Sequence, residues 1–101
     1  MRQAMISYRA KPERADENAR LIGKVFEELR QAAPQGVRYL VLRLEDDSFV
    51  HLVTGETEEG TTPLTRLSAF EAFRKGAEER WLEKPHSRDA TIIGNYRMLG
   101  K

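Results

Sequence analysis

His51 stands inside an apolar run, Phe49-Val50-His51-Leu52-Val53. An imidazole in such a setting can act as a base near neutral pH. Such a histidine can equally be a hydrogen-bonded member of a core or an interface. Tyr8, Tyr39 and Tyr96 lie in stretches that read as strands. Their hydroxyls would bind a phenolate or orient oxygen, or be satisfied by burial alone. Phe70, Phe73 and Trp81 fall on one side of a helical pattern, and a flat aromatic wall stacks planar ligands. Ordinary core packing accounts for the same spacing. Arg9, Arg43 and Arg97 also occupy strand positions. Each would stabilise an anion in a dry cavity, or reach a rim and pair with a carboxylate such as Glu45. The candidate catalytic residues are therefore His51 and Tyr8. The candidate ligand-pocket residues are Tyr39, Phe70, Phe73 and Trp81.

Several chemistries have no footing. The chain contains no cysteine, hence no disulfide, thiolate nucleophile or thiolate metal site. His86 is read as a loop residue after Pro85, with Asp89 nearby, and one histidine with one aspartate is not a coordination set. No metal site is expected. No G-x-S-x-G elbow, P-loop or dinucleotide fingerprint is present. Gly55, Gly60, Gly94 and Gly100 are isolated and read as turn or packing glycines. Lys and Arg number 17 against 16 Asp and Glu, a balance that argues against nucleic acid as a partner. No stretch approaches membrane-spanning length and the start has no apolar signal core. A soluble cytoplasmic protein is expected, with residues 1–101 forming a single domain.

These residues must be positioned by a small set of elements. Val37–Leu44 and Phe49–Thr54 are rich in β-formers and flank the turn Glu45-Asp46-Asp47-Ser48. Neither face of this hairpin is reliably polar. An ordinary half-solvated sheet would alternate, so both faces are expected to be covered, one by the chain's own helices. Ala4–Ala10 reads as a strand, broken at Lys11-Pro12-Glu13. Ala15, Ala19, Ile22, Val25, Phe26, Leu29 and Ala33 form the apolar stripe of a helix over Arg14–Ala33, stopped by Pro34 and Gly36. Asp16 and Arg20 have the spacing of an ion pair within it. Gly55–Pro63 reads as a polar loop and Pro63–Arg66 as a short helical turn. A second helix is expected over Ser68–Trp81, opened by a Ser68/Glu71 capping box, carrying Gly76 in its interior and ended by Pro85. The last strand is expected over Ala90–Met98.

The order β-α-β-β-α-β specifies an α+β, ferredoxin-like fold: a four-stranded antiparallel sheet with two helices on one face and the first and third strands central. The other sheet face remains apolar, and two sheets meeting across a twofold axis would cover it.

At this point the chain resembles a known family. The segments KPERADENARL, APQGVRYLVLRLEDDSFVHLV and LSAFEAFRKGAEERW…ATIIGNYR are similar to those of antibiotic biosynthesis monooxygenase-like domains, of the dimeric α+β barrel superfamily. The resemblance spans nearly the whole chain. It implies a homodimer whose two sheets form a barrel, with a pocket in each subunit between sheet and helices. Some members oxidise aromatic phenols with O2 without metal or flavin, so no cofactor is expected. Others bind and degrade haem, and many have no demonstrated activity. Catalytic members use asparagine, tryptophan, tyrosine or histidine in particular pocket positions. This chain departs from that pattern, its first strand offering Ser7, Tyr8 and Arg9 but no asparagine, and its second helix Phe70 and Phe73 in place of a tryptophan or histidine. The expected function is that of a small dimeric pocket protein resembling a cofactor-independent monooxygenase for small aromatic substrates. The alternatives are a non-catalytic dimer that binds a small apolar ligand or supports a partner, and an isomerase or lyase using His51 or a tyrosine.

Overall fold

A computed structural model describes residues 3–54 and 63–99 of the chain. The elements run β1 (Gln3–Ala10), α1 (Ala15–Ala32), β2 (Arg38–Arg43), β3 (Ser48–Thr54), α2 (Ser68–Arg74) and β4 (Trp81–Ala90). Three single turns of 3-10 helix, Pro12–Arg14, Pro63–Arg66 and Ala77–Glu79, join them. The polar loop expected over Gly55–Pro63 lies outside the described residues up to 62. The four strands form one antiparallel sheet in the order β2-β3-β1-β4. This is the ferredoxin-like arrangement, with the first and third strands at the centre.

The turn between β2 and β3 forms for local reasons. Asp47 takes a left-handed φ of 66°, which aspartate tolerates better than most residues. The Asp46 side chain accepts the Ser48 N–H at 3.0 Å, and Leu44 N–H donates to Ser48 O at 2.8 Å. Strand alternation then sends Phe49, His51 and Val53 to one face and Val50 and Leu52 to the other. The first set meets Tyr8 and Ala10 of β1, Tyr39 and Val41 of β2, Ile22 and Val25 of α1, and Phe73 of α2 in one core. Both helices therefore cover the same side of the sheet. α1 is closed after Ala32 by Ala33, which adopts a left-handed φ of 44° and donates its N–H to Leu29 O. Ala33 is exposed and not part of the packed stripe.

The structure departs from expectation in four ways, three of them in the second half of the chain. Gly76 is not inside a helix. Its φ of 71° is open to glycine and costly for residues with a Cβ, so α2 stops at Arg74 and the chain turns. The start of α2 carries no Ser68/Glu71 capping box. Glu28 of α1 reaches across instead, accepting the Ala69 N–H at 2.7 Å and the Ser68 N–H at 3.3 Å. The last strand is Trp81–Ala90, and Thr91–Leu99 lies outside the sheet. Pro85 is inside that strand. It is tolerated because β4 is an edge and because its pairing with β1 slips between Ser7 and Arg9, opposite the Lys84-Pro85 region. Finally, Asp16 pairs with Arg43 across the fold at 3.0 Å, rather than with Arg20.

Candidate functional site

β3 carries His51 at the centre of the sheet. Ile6 lies directly opposite it on β1, and Val41 on β2. Tyr8 pairs with Phe49, two residues before His51, and Tyr39 with Val53, two residues after. The two tyrosines thus bracket the imidazole on opposite diagonals, a reach that long aromatic side chains span. Tyr39 Oη lies 2.6 Å from His51 Nδ1, and Tyr8 Oη lies 3.0 Å from Nε2. Both ring nitrogens are occupied.

The network continues inward. Asn18 sits on the buried stripe of α1, fully enclosed, and its Nδ2 donates to Tyr8 Oη at 2.8 Å. Arg80, 2% exposed, donates from Nε to Asn18 Oδ1 at 2.9 Å and from its terminal nitrogen to the Phe73 carbonyl. Its guanidinium also lies 5.3 Å from the centre of the Phe73 ring. A buried cation is thereby held by an amide, a carbonyl and a ring face.

Burial dominates the titration of the site. It pushes the His51 imidazole down to about 4, so His51 is neutral near pH 7. Burial pushes the Tyr8 phenol up to about 12, opposed by the Asn18 hydrogen bond and the Arg80 charge. Tyr39 is raised further, by burial and by the nearby Tyr8. Both phenols keep their protons and act as neutral hydrogen-bonding groups. Burial also lowers the Arg80 guanidinium, against the pull of the Glu17 carboxylate.

Beside this network a cavity of about 420 Å³ opens between the sheet and α2, within the range that holds small ligands. Tyr8, Tyr39 and His51 form its sheet wall, with Phe70, Phe73 and Trp81 opposite or alongside. The His51 and Phe73 rings are 5.8 Å apart, and Phe70 lies 6.1 Å from Phe73. Arg74 and Glu78, both exposed, also line it. The structure therefore brings together all six residues singled out in the sequence as catalytic or ligand-pocket candidates. Asn18 and Arg80 were not among them. Asn18 leaves a trace, a polar residue on the apolar side of α1 between Ala15 and Ile22; Arg80 leaves none.

Other candidates fall elsewhere. His86 is a strand residue on β4, paired with Ser7, so it faces away from His51. Arg9 reaches the Asp46 carbonyl at 3.1 Å and lies 3.9 Å from Glu83. Arg43 pairs with Asp47 at 2.7 Å as well as with Asp16, not with Glu45. Tyr96 and Arg97 lie beyond the last strand, the guanidinium 5.5 Å from the exposed ring. Among the described residues no group of three or more metal-binding side chains is assembled.

No protein-family profile and no curated protein matches the chain. Solved structures do. One from Nitrosomonas europaea, provisionally described as an antibiotic biosynthesis monooxygenase, superposes with a TM-score of 0.73 at 13% identity, covering 93% of this chain and 100% of its own. Another from Caulobacter crescentus, described in the same provisional terms, gives 0.72 at 11% identity over 92% and 90%. A conserved protein from Methanosarcina mazei gives 0.70 at 16% identity over 88% and 89%. The likeness is one of fold. It agrees with the group to which the sequence segments pointed.

Proposed function

We propose that the protein binds a small planar aromatic compound in the cavity between sheet and α2 and oxidises it with O2 without a bound cofactor, working as a homodimer. The observation that carries this reading is the aromatic slot whose sheet wall ends in a histidine-backed tyrosine, Tyr39. His51 offers no unoccupied nitrogen and is a weak base. The productive role left for the wall is therefore to hold an oxyanion.

The chemistry needs only an electron-rich phenol that ionises. The phenolic proton passes to solvent, and the conjugated carbanion form of the phenolate gives one electron to O2. The resulting radical and superoxide combine into a C–O bond. For a substrate with a reactive CH2, the peroxide takes up a proton and then loses water. One oxygen atom stays as a carbonyl, and the other leaves in water with the two hydrogens of the CH2. A donor at Tyr39 would stabilise the anion that begins this sequence.

Oxygen uptake with anthrone-like and quinol substrates tests the reading. Uptake should fall about a hundredfold in Tyr39→Phe, the usual scale for losing one oxyanion donor. No uptake across the panel would reject the oxidation. The occupied nitrogens of His51 also favour a second reading, a ligand-binding dimer without catalysis. Tight binding of the same compounds without uptake would select it.

A further inference from the structure

The buried network has a direction. Arginine only donates hydrogen bonds, so Asn18 must turn its oxygen toward Arg80 and its NH2 group toward Tyr8, as the distances of 2.9 and 2.8 Å place them. Tyr8 Oη therefore already accepts a proton donor. Its own proton has two destinations: His51 Nε2 at 3.0 Å, or no partner at the cavity wall. The first makes Nδ1 the protonated nitrogen, donating to Tyr39 Oη at 2.6 Å, and leaves the spare O–H on Tyr39. The second leaves it on Tyr8. Tyr8 is buried, whereas Tyr39 is half-buried. An unmatched donor costs more the more completely it is enclosed, so the first order is the stable one.

We propose that Arg80 and Asn18 are positioning residues that align every proton of the chain Arg80–Asn18–Tyr8–His51–Tyr39 toward the cavity. The ligand oxygen that meets Tyr39 is then a pure acceptor, a quinone carbonyl or a phenolate, rather than a hydroxyl that must donate. This rests on the cavity being the ligand site. Each bond is polarised by the one before it, beginning at a buried cation, so the terminal O–H is a stronger donor than an isolated phenol.

Nitrogen NMR of His51 in the ligand-free protein tests the proton order directly. Nδ1 should be protonated and Nε2 unprotonated; the reverse overturns the proposal. Asn18→Asp supplies the sharper test. Its carboxylate accepts from Arg80 and also from Tyr8, so the Tyr8 proton turns away from His51 and the imidazole changes tautomer. If Asn18→Asp folds and the tautomer stays, the proposal fails. The wild-type spectrum decides the matter if this variant does not fold. The probe for the ligand class is 1,4-naphthoquinone, which accepts and cannot donate. It should bind wild type and bind Asn18→Asp about tenfold more weakly, the scale of one hydrogen bond. Equal binding to both overturns the assigned ligand class. Failure to bind wild type, with the tautomer as expected, overturns the ligand class together with the cavity reading and leaves only the proton order standing.

Discussion

His51 is held neutral by its surroundings, and this has a consequence for stability. Its imidazole titrates at about 4 in the fold and at about 6.5 when the chain is unfolded. Between those values the unfolded chain binds the extra proton, so stability rises with pH there and falls as pH drops through the window. The full span is on the order of 3 kcal/mol. Urea denaturation of wild type and His51→Gln should therefore diverge. Wild type should lose stability from pH 6.5 toward pH 4 more steeply than the variant, because carboxylates that titrate nearby act in both. The two tyrosines should also differ. Tyr8→Phe strands the Asn18 amide and His51 Nε2, both buried, and should cost about 3 kcal/mol, near the upper end for buried groups left unmatched. Tyr39→Phe strands only Nδ1 and should cost about 1 kcal/mol. Equal losses in chemical denaturation would mean that the second buried partner of Tyr8 adds nothing to the fold.

At the level of elements, α2 is a seven-residue helix, too short to stand without help from outside. Its first N–H groups are satisfied by Glu28 of α1. Glu28→Ala should cost about 1 kcal/mol, as loss of an N-terminal cap does, and should speed hydrogen exchange at Ser68 and Ala69 before it affects the sheet. Gly76→Ala should cost about 1 kcal/mol through backbone strain alone, since an added Cβ there meets nothing within 4 Å. The same features explain what the sequence concealed. β1, α1 and the β2–β3 hairpin were legible because alternation, the apolar stripe and turn residues agree in each. In α2, Phe70, Phe73, Ala77 and Trp81 keep helical spacing across a break, so periodicity outran the helix. The signal that contradicts it is the single Gly76. β4 reads WLEKPHSRDA, charged and containing proline, because an edge strand gains from groups that discourage further pairing. Thr91–Met98, with two isoleucines, looks more like a strand and is not one. The tyrosine–histidine wall followed from alternation on recognised strands. Arg80 was invisible because its burial depends on the turn that Gly76 introduces.

The whole molecule is left with apolar surface on the side away from its helices. Register places Leu40, Leu52 and Met5 in one row across the sheet and Leu42, Val50 and Ser7 in the next. The row ends on β4 are Arg88 and His86, so a greasy centre is bordered by polar groups along one edge. Leu42 is 47% exposed, and Ile93, beyond the last strand, is fully exposed. We propose that a second copy covers this face, because an isologous contact across a twofold axis buries the same apolar patch on both subunits. A protein of 101 residues also buries only a modest core alone, which makes the added interface valuable. Sedimentation equilibrium should therefore find a dimer at micromolar concentration, and the midpoint of thermal unfolding should rise with protein concentration. Leu52→Glu puts a charge at the centre of the proposed contact while leaving the helix-side core and the cavity untouched. It should yield a monomer that unfolds at a lower temperature, with a midpoint no longer dependent on concentration. A wild-type monomer whose midpoint is insensitive to concentration would mean that the sheet tolerates water on this face, and the proposed pairing of sheets would then have no driving force.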